Sequence, residues 1–495
     1  MTEKEKIKVL LKKFYEEYNP ISSQIESFNK FCDEDIKEIV REIGEIRPLI
    51  TPPGVSEVVI KFRDIWVSKP EVTEADGTRR IIYPIEARLR NLTYSGSVYL
   101  EYSVFYDDSL KEQGSVEIGK LPIMVKSKYC NLYGLSEEEQ IKIGEDPYDF
   151  GGYFIINGTE RVIVLTEELL TNKLYVDKGE GVAKWVGRIF SESGLLNVPH
   201  KIELLKDGIF YISFGRFKRT PVFLLIKALG LETDKEIYEA IGENFDEVFI
   251  NLYEFSDITN KKQAALKLAN LWKISGEEEI KLQRVYELID RYLLPHLGRD
   301  PGSRIIKAWN LCKYIKKILY VHYGKLDIDD KDHYMNKQIR MAGNLIAEMF
   351  RYVFKAQIND MLYQYQRMVK RGKVPTFKSV VRSRFFTERF ETAMGTGTWT
   401  RKRVGVSQML ERMNKLAVLS HLTRVRSPIE AEGEVYEIRM LHGTHWGRLC
   451  PIETPESKNV GLRKNLSLFA KISQKIDEKQ VIEKLKSLGL KTYYG

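Results

Sequence analysis

Residues 439–456 read Arg-Met-Leu-His-Gly-Thr-His-Trp-Gly-Arg-Leu-Cys-Pro-Ile-Glu-Thr-Pro-Glu, within a Gly-, Pro- and His-rich block that extends to about Ser473. His442 and His445 are three residues apart, yet no Cys or carboxylate stands at zinc-ligand spacing from them. The pattern therefore favours histidines that hydrogen-bond within the fold, or that face a nucleic acid, over metal ligands.

The residues that precede this block are strongly basic. From Met361 to Arg426 the chain has 15 Lys and Arg residues against three acids, which gives a net charge of +12. Because the whole chain carries +9, the remaining residues sum to −3. Positive charge focused in this way is typical of phosphate binding, although many charge runs are only solvated helix faces. We favour phosphate binding.

Within the basic region, Gly395 to Arg403 (GTGTWTRKR) predicts a flexible basic loop, which could equally be an ordinary exposed loop. Its glycines allow the backbone to approach a ligand closely, and arginines bind phosphate well. A helix is expected to follow, with Gln and Arg side chains that can bond phosphates and sugar hydroxyls. The candidate nucleic-acid-binding residues are Arg401, Lys402, Arg403, Gln408, Lys415, His421, Arg424 and Arg426.

Upstream of the basic region, the sequence predicts an alternation of helical and β segments. The clearest local signal is Asn157-Gly158 between two β-rich runs, which predicts a type I′ hairpin. Helices are predicted up to about Pro53 and strands from Val55 to about Val164, after which Glu167–Asn172 should leave the sheet. An inserted module is expected from Lys173 to about Asp332. One or two long helices are predicted from Lys331 to Val369, and a helical tail from Gln474 to Leu488.

The inserted module should begin with short strands at Phe210–Phe214 and Val222–Leu225. Helices are then expected at Asp234–Ile241, Lys261–Trp272 and Glu278–Leu294. Four carboxylates follow, at Asp327, Asp329, Asp330 and Asp332, and could hold Mg²⁺ or Ca²⁺. The glycine of a calcium loop is missing, so we favour acids that stabilise the start of a helix.

Other features exclude several classes of protein. Gly114 to Leu121 has the spacing of a phosphate-binding loop, but Leu121 stands where Ser or Thr would hold magnesium, so nucleotide binding is disfavoured. No nucleophile elbow or dinucleotide fingerprint is present, and no complete catalytic centre is expected on this chain. The chain has four cysteines and no Cys-x-x-Cys pair, so no zinc ribbon or disulfide framework is predicted.

The length suits about three domains. Met1 to Asn19 predicts an amphipathic helix rather than a signal peptide, and no apolar stretch is long enough to span a bilayer. We therefore expect a cytoplasmic protein in a reducing environment, with no membrane partner.

The stretch 439–456, followed by Gly461-Leu462 and Lys464-Asn465-Leu466, resembles the fork region of the β-like, second-largest subunit of cellular DNA-directed RNA polymerases. Other blocks agree in order, for example Asn19-Pro-Ile-Ser-Ser-Gln-Ile-Glu-Ser-Phe-Asn29 and Tyr83-Pro-Ile-Glu-Ala-Arg-Leu-Arg-Asn-Leu-Thr-Tyr94. The resemblance covers nearly the whole chain. It is closest to the N-terminal half of this polymerase component in its divided archaeal form, known as B''.

The resemblance implies an α+β multidomain fold, with a mixed α/β protrusion, an inserted lobe and a fork region. The implied segments are a first protrusion part at 1–172, the lobe at 173–332, the return helices of the protrusion at 333–385, the fork at 386–473 and a tail at 474–495. In this family the hybrid-binding domain, the wall and a C-terminal zinc site come next. Archaeal polymerases of the divided form carry them on a separate polypeptide, B'.

The implied function is that of a subunit of DNA-directed RNA polymerase, a nucleotidyltransferase. The chain would form one side of the DNA cleft and the fork near the active site, in contact with the RNA–DNA hybrid and downstream DNA. No cofactor is expected on this chain, because the aspartates that hold the catalytic Mg²⁺ belong to the largest subunit in this family. The implied partners are the largest subunit (A'/A''), the C-terminal half of the second-largest subunit (B'), the other core subunits, the DNA template, RNA, and initiation and elongation factors.

Residue roles follow from the same resemblance. Arg439 and Glu456 are implied to lie near the insertion site, and Gln408 and Arg424 to face the RNA of the hybrid. Residues 401–403 are implied to lie near the upstream hybrid. Glu430, Glu432 and Gly433 fall in a loop that resembles the second fork loop. Where the family usually has Gly after Pro-Glu-Thr-Pro-Glu, this chain has Ser457, which would be strained if the turn needs a positive φ.

Two other classes of function stay open. A stand-alone nucleic-acid-binding protein would bind DNA as an isolated chain, with an affinity that falls steeply as salt rises. A purely structural assembly subunit would instead direct its basic region at acidic groups of protein. Crosslinking from the RNA 3′ end to residues 408–424 distinguishes these possibilities from the polymerase role.

Overall fold

The computed structural model describes residues 2–194, 196–400, 403–428, 436–473 and 478–490. The chain divides into two compact units. The first combines Met1–Glu168 with Ile339–Gly495, and the second is Leu169–Gln338. The second unit is thus an insertion in the sequence of the first, and both mix helices with small sheets, so the fold is multidomain α+β.

The N-terminal part of the first unit contains helices α1 (Glu3–Glu17), α2 (Ser22–Lys30), α3 (Ile36–Ile43), α4 (Pro84–Leu89) and α5 (Glu137–Ile143), and strands β1 (Glu45–Ile46), β2 (Val58–Val67), β3 (Glu71–Thr73), β4 (Arg79–Ile81), β5 (Ser95–Tyr106), β6 (Ser109–Pro122), β7 (Phe154–Ile156), β8 (Thr159–Ile163) and β9 (Leu165–Leu169). Its largest sheet has the order β1-β2-β5-β6. The predicted early helices and following strands are confirmed.

The hairpin predicted at Asn157-Gly158 is confirmed. Ile156 pairs with Thr159 across the turn, and Asn157 and Gly158 have φ angles of 48° and 75°, as a type I′ turn requires. The prediction that Glu167–Asn172 leaves the sheet is wrong at its start, because β9 continues to Leu169. One strand partner of β9, in parallel orientation, lies about 260 residues later, so no local pattern could reveal this pairing.

The false phosphate-binding loop, Gly114 to Leu121, lies inside strand β6. A Cβ at Gly119 would lie 2.7 Å from Cβ of Phe386, so this glycine allows a helix to pack closely on the strand. The interpretation as hairpin and strand is confirmed.

The second unit contains strands β10 (Leu174–Lys178), β11 (Ala183–Ser193), β12 (Leu196–Leu205), β13 (Phe210–Phe214) and β14 (Phe217–Pro221), and helices α6 (Val222–Leu229), α7 (Asp234–Ile241), α8 (Asp246–Glu254), α9 (Lys261–Leu271), α10 (Glu278–Tyr292) and α11 (Arg304–His322). The strands form an antiparallel meander in chain order. The predicted helices α7, α9 and α10 are confirmed. The strand predicted at Val222–Leu225 is wrong: it belongs to α6, whose eight residues are all buried and therefore show no amphipathic period.

The acidic cluster of the second unit does not stabilise the start of a long helix. Asp329 accepts hydrogen bonds from Lys317 Nζ at 2.7 Å and from the Val176 N–H at 2.8 Å, and Asp332 pairs with Lys337 at 3.0 Å. Only a short 3₁₀ turn, Tyr334–Asn336, follows. These carboxylates therefore form ion pairs with lysines, and Asp329 also binds the backbone of a strand distant in sequence. Among the described residues, no group of three or more His, Cys, Asp or Glu side chains could hold a metal ion.

The chain returns to the first unit through β15 (Lys337–Arg340), α12 (Ala342–Lys370), α13 (Phe377–Val380), α14 (Ser383–Thr396), β16 (Thr398–Thr400), β17 (Arg403–Val404), β18 (Ser407–Met409), α15 (Lys415–Leu422), β19 (Arg424–Arg426), α16 (Tyr436–Arg439), β20 (Arg463–Asn465) and α17 (Glu478–Ser487). The predicted long helix begins at Ala342 rather than near Lys331. The predicted helical tail is confirmed over α17, and residues 474–477 lie outside the described part.

The start of α12 is held by polar side chains of α2. Gln24 Oε1 accepts the Ala342 N–H at 2.9 Å, and Ser27 Oγ accepts the Gly343 N–H at 3.1 Å. These two bonds satisfy N–H groups that have no partner within a helix. A Cβ at Gly343 would lie only 2.0 Å from the Ser27 carbonyl oxygen, so the two helices can approach this closely only at a glycine.

Two predictions about the basic region are wrong. Gly395 to Thr400 is not a flexible loop: α14 runs to Thr396, Gly397 ends it with a φ of 78°, and β16 pairs with β17. Residues 401 and 402 lie outside the described part of the chain. The helix expected through 408–426 is instead a strand, a helix and a strand, namely β18, α15 and β19. The two short strands of this segment form by pairing with strands distant in sequence, β18 with β8 and β19 with β9.

Candidate nucleic-acid interface

Strand β19, which carries Arg424 and Arg426, is the central element of the candidate interface. It pairs in parallel with β9, Val425 opposite Leu165, and antiparallel with β20, Val425 opposite Lys464. The sheet order is β15-β9-β19-β20. A strand of three residues is too short to be stable alone, so its position depends on both neighbours.

A buried ion pair joins these two neighbours across β19. Lys464 Nζ on β20 lies 3.1 and 3.2 Å from the two carboxylate oxygens of Glu167 on β9. The side chains are only 9% and 4% exposed. Because a buried charge is costly without its partner, this pair favours one arrangement of the sheet around β19.

Arg424 faces an acid of the same region. Its two terminal nitrogens donate to the two carboxylate oxygens of Glu411, each at 3.4 Å, and its side chain is 16% exposed. The hydrogen bond from Arg424 lowers the pKa of Glu411 against the opposing effect of burial. The guanidinium has five N–H donors, so this pair leaves donors for a further acceptor.

His421 and Gln408 lie beside this pair. The His421 ring is 1% exposed; Nδ1 accepts the Glu411 N–H at 3.2 Å, and Nε2 lies 3.3 Å from Gln408 Oε1. Burial, followed by the charge of Arg424, lowers the pKa of His421 to about 4. The ring is therefore neutral at physiological pH.

Two other predicted arginines are engaged within the chain. Arg403 pairs with Glu168 and with Glu348, the latter at 3.0 Å. Arg426 Nη1 donates to the carbonyls of Val404 and Gly405 at 2.7 and 2.9 Å. These contacts hold the hairpin β16–β17 and the turn that follows it.

Lys415 lies apart from the Arg424 group. Its ammonium is 5.6 Å from the Tyr148 ring centroid and 5.3 Å from that of Phe150, a cation–π arrangement. Arg412, nearby in sequence, pairs with Glu160 at 2.6 Å and with Asp149 at 2.8 Å. The predicted residues Arg401, Lys402, Glu430, Glu432 and Gly433 lie outside the described residues.

The Arg439 side chain holds the turn that follows Glu456. Its Nη1 donates to the carbonyls of Lys458 and Val460 at 2.6 and 3.1 Å. A Cβ at Gly461 would lie 2.3 Å from the Arg439 carbonyl oxygen, which explains the glycine there. Ser457 has a φ of 63°, so it occupies the left-handed region that favours Gly, and the expected strain is confirmed.

The Glu456 side chain is exposed at the start of this turn. No salt bridge or side-chain hydrogen bond joins it to another of the described residues. The turn held by Arg439 thus presents a carboxylate to the surroundings of the chain.

The sequence reasoning missed the acids that organise this interface. Glu411 enters the sequence analysis only as one of three acids in the basic region. Glu167, Glu168 and Glu348 are far in sequence from the arginines or lysines that they pair with. No spacing in the sequence signals such pairs. They become visible only when distant strands are brought together.

Comparison with known proteins gives the family. The profile described as "RNA polymerase beta subunit" matches residues 19–388, and the profile "RNA polymerase Rpb2, domain 3" matches residues 408–472. This chain belongs to the RNA polymerase beta subunit family. It is a subunit of DNA-directed RNA polymerase, a nucleotidyltransferase complex, and the resemblance inferred from residues 439–456 is confirmed.

Several similar proteins are archaeal. The chain is 40% identical to DNA-directed RNA polymerase subunit Rpo2N of Methanocaldococcus jannaschii, over 97% of this chain and 98% of that protein. It is 37% identical to Rpo2N of Halobacterium salinarum, over 95% of this chain and 93% of that protein. With subunit Rpo2 of Saccharolobus shibatae it shares 39% identity, over 97% of this chain but only 43% of that protein.

Within the described ranges of the chain, no helix combines the length and the apolar character that crossing a bilayer needs.

Proposed function

We propose that this polymerase subunit forms one side of the DNA cleft, and that the region around β18, α15 and β19 contacts the RNA–DNA hybrid. The observation that carries the proposal is the presentation of Arg424 and Gln408 on two short strands. Each strand is held by a partner from the N-terminal part of the unit. Groups that bind a nucleotide polymer in register need such fixed supports.

The domain names follow the same proposal. The second unit, Leu169–Gln338, would be the lobe, and the N-terminal part of the first unit together with α12 would be the protrusion. Residues 386–473 would be the fork, with residues 429–436 at downstream DNA. The largest subunit, a chain carrying the remainder of the second-largest subunit, and transcription factors would complete the assembly in the cytoplasm.

The chemistry of the complex is nucleotidyl transfer, and Mg²⁺ held by aspartates of the largest subunit would supply its charge stabilisation. This chain would bind and orient the RNA. Donors of Arg424 not used by Glu411 would bond the RNA backbone, and the Gln408 amide would lie beside it. Glu456, presented by the turn that Arg439 holds, would lie near the insertion site.

The first test replaces Arg424 by alanine in the assembled polymerase. Loss of a hydrogen bond to a charged group costs about 1.5–3 kcal/mol, so complexes with short hybrids should release RNA at least about tenfold faster. Arg384→Ala is the matched control, because the ion pair that Arg384 forms with Glu388 is exposed. Equal release of abortive transcripts by the Arg424 variant and the wild type would contradict the proposal.

The second test concerns Glu456. Glu456→Ala should slow single-nucleotide addition while the subunits still assemble, because the side chain is exposed and supports no contact among the described residues. Glu453→Ala is a nearby control, since Glu453 accepts a hydrogen bond from Ser420 within the same unit. A normal addition rate would remove Glu456 from the site.

One observation favours a second candidate, a subunit whose basic region serves assembly. Arg403 and Arg412 pair with acids of this same chain, and Arg426 donates to backbone carbonyls. Much of the predicted phosphate-binding charge is thereby used within the fold. Crosslinks from the RNA 3′ end that avoid residues 408–424 would favour this candidate over hybrid contact.

A further inference from the structure

The His421 ring cannot itself bind RNA in this fold, since it is 1% exposed. Each of its nitrogens has a partner within the chain, on different segments. Nδ1 meets the backbone N–H of Glu411, and Nε2 meets the side chain of Gln408. A buried ring with two such partners can fix the orientation of the neighbouring groups, but it does not contact a ligand.

The partners determine which nitrogen carries the proton. A backbone N–H can only donate, so Nδ1 of His421 must accept from Glu411 and the ring proton lies on Nε2. Nε2–H then donates to Gln408 Oε1 at 3.3 Å. The amide orientation of Gln408 follows, because its Nε2 donates to the Gly405 carbonyl at 3.2 Å.

The same ring also holds the segment that binds Arg424. The backbone of Glu411 is fixed by its N–H bond to His421, and its carboxylate accepts both terminal nitrogens of Arg424. One imidazole on α15 therefore connects β18, the segment after it, and β19.

We propose that His421 is a positioning residue, which through separate nitrogens orients the Gln408 amide and the Arg424 guanidinium toward the RNA of the hybrid. The proposal rests on the proposed function, since both oriented groups are those assigned to RNA there. It reassigns His421, which the sequence placed among the residues that contact nucleic acid.

The charge state of the ring agrees with this role. Burial, Arg424 and Arg463 lower the pKa of His421 to about 4, and Glu411 opposes them. These three charged groups face the ring from β19, β20 and the segment after β18. The ring stays neutral from pH 6 to 8, so the His421 contribution to RNA retention should be constant over that range.

Two substitutions separate the two nitrogens. In His421→Asn, the amide oxygen lies near the Nδ1 position and can accept the Glu411 N–H, whereas the bond to Gln408 is lost. In His421→Gln, the longer side chain brings an amide N–H near the Nε2 position and can donate to Gln408, whereas the acceptor for Glu411 is lost. Each variant thus retains one of the two connections.

The experiment measures RNA release from assembled polymerase on short hybrids, for single variants and for double variants with Gln408→Ala or Arg424→Ala. We expect His421→Asn to speed release about two- to tenfold, the range for one neutral hydrogen bond, with no further effect in combination with Gln408→Ala. Combined with Arg424→Ala, its effect should multiply. His421→Gln should give the reverse pattern.

The outcomes distinguish this inference from the function on which it rests. If Gln408→Ala and Arg424→Ala leave RNA release unchanged, the proposed function fails. In another outcome, Gln408→Ala and Arg424→Ala both speed release while the effect of each His421 variant multiplies equally with the effect of either. In that case the ring contributes only to general stability and the positioning role is overturned. A crossed pattern of the two double variants supports positioning, because a merely structural defect would not depend on which nitrogen is mimicked.

Discussion

Replacing Lys464 by methionine removes one partner of the buried ion pair that spans strand β19. The two Nζ–oxygen distances to Glu167 are 3.1 and 3.2 Å, and the carboxylate left behind is 4% exposed. Removal of one partner of such a pair costs about 3–5 kcal/mol, because the other charge stays buried. This is at least about a fifth of the roughly 5–15 kcal/mol by which a typical domain is stable.

Both charges of the ion pair can also be removed together. Glu167→Leu combined with Lys464→Met should be less destabilising than Lys464→Met alone, because the buried carboxylate that would lose its lysine is removed as well. Arg384→Met is the control: its pair with Glu388 is exposed, so the change should stay within about 0.5 kcal/mol. The ion pair would thus show a strong coupling that the surface pair lacks.

The assay is amide hydrogen exchange of β9, β19 and β20 in the full chain, followed by mass spectrometry. In Lys464→Met these strands should lose protection, since β19 depends on both neighbours. In the assembled polymerase the same variant should release short RNA faster, through Arg424. A loss of less than about 1 kcal/mol, or a double variant whose cost equals the sum of the single variants, would refute the argument.

Three further predictions concern backbone and protonation. Ser457→Gly should stabilise the turn by up to about 1 kcal/mol, because removing left-handed strain outweighs the chain entropy of Gly, and exchange of the neighbouring amides would show it. Gly343→Ala should cost about 3 kcal/mol or more in urea unfolding, whereas Gly443→Ala, with open space around it, should not. Burial lowers the pKa of His200 to about 4, so the folded state binds fewer protons than the unfolded state between pH 6.5 and 4. Stability should therefore fall as the pH drops through this window, and His200→Gln should flatten the dependence in unfolding measured from pH 7 to 4.5.

Local patterns predicted much of the fold. The hairpin at Asn157-Gly158 needs only two residues that tolerate positive φ, and the helices of the second unit need only an apolar face. Errors occurred where that signal vanishes. Helix α6 is buried on all sides, and β18 and β19 are only three residues long, so none of the three shows a hydrophobic period in the sequence.

The candidate site divides in the same way. The sequence identified the basic region and the residues Gln408, His421 and Arg424, because charge and family motif are properties of the chain itself. It assigned all of them one role, contact with nucleic acid. The fold separates them: Arg426 supports a turn, His421 is enclosed, and Arg424 shares its guanidinium with Glu411.

The sequence by itself determined the family, the α+β composition and the location of the basic region, since these depend on residue identity and local periodicity. Only the tertiary structure decided which charges are available and which are neutralised. The physical reason is that these ion pairs depend on the pairing of strands that are more than 200 residues apart in sequence. Examples are Glu167 with Lys464 and Glu168 with Arg403. Electrostatic partners depend on distance in space, which the order of residues does not encode locally.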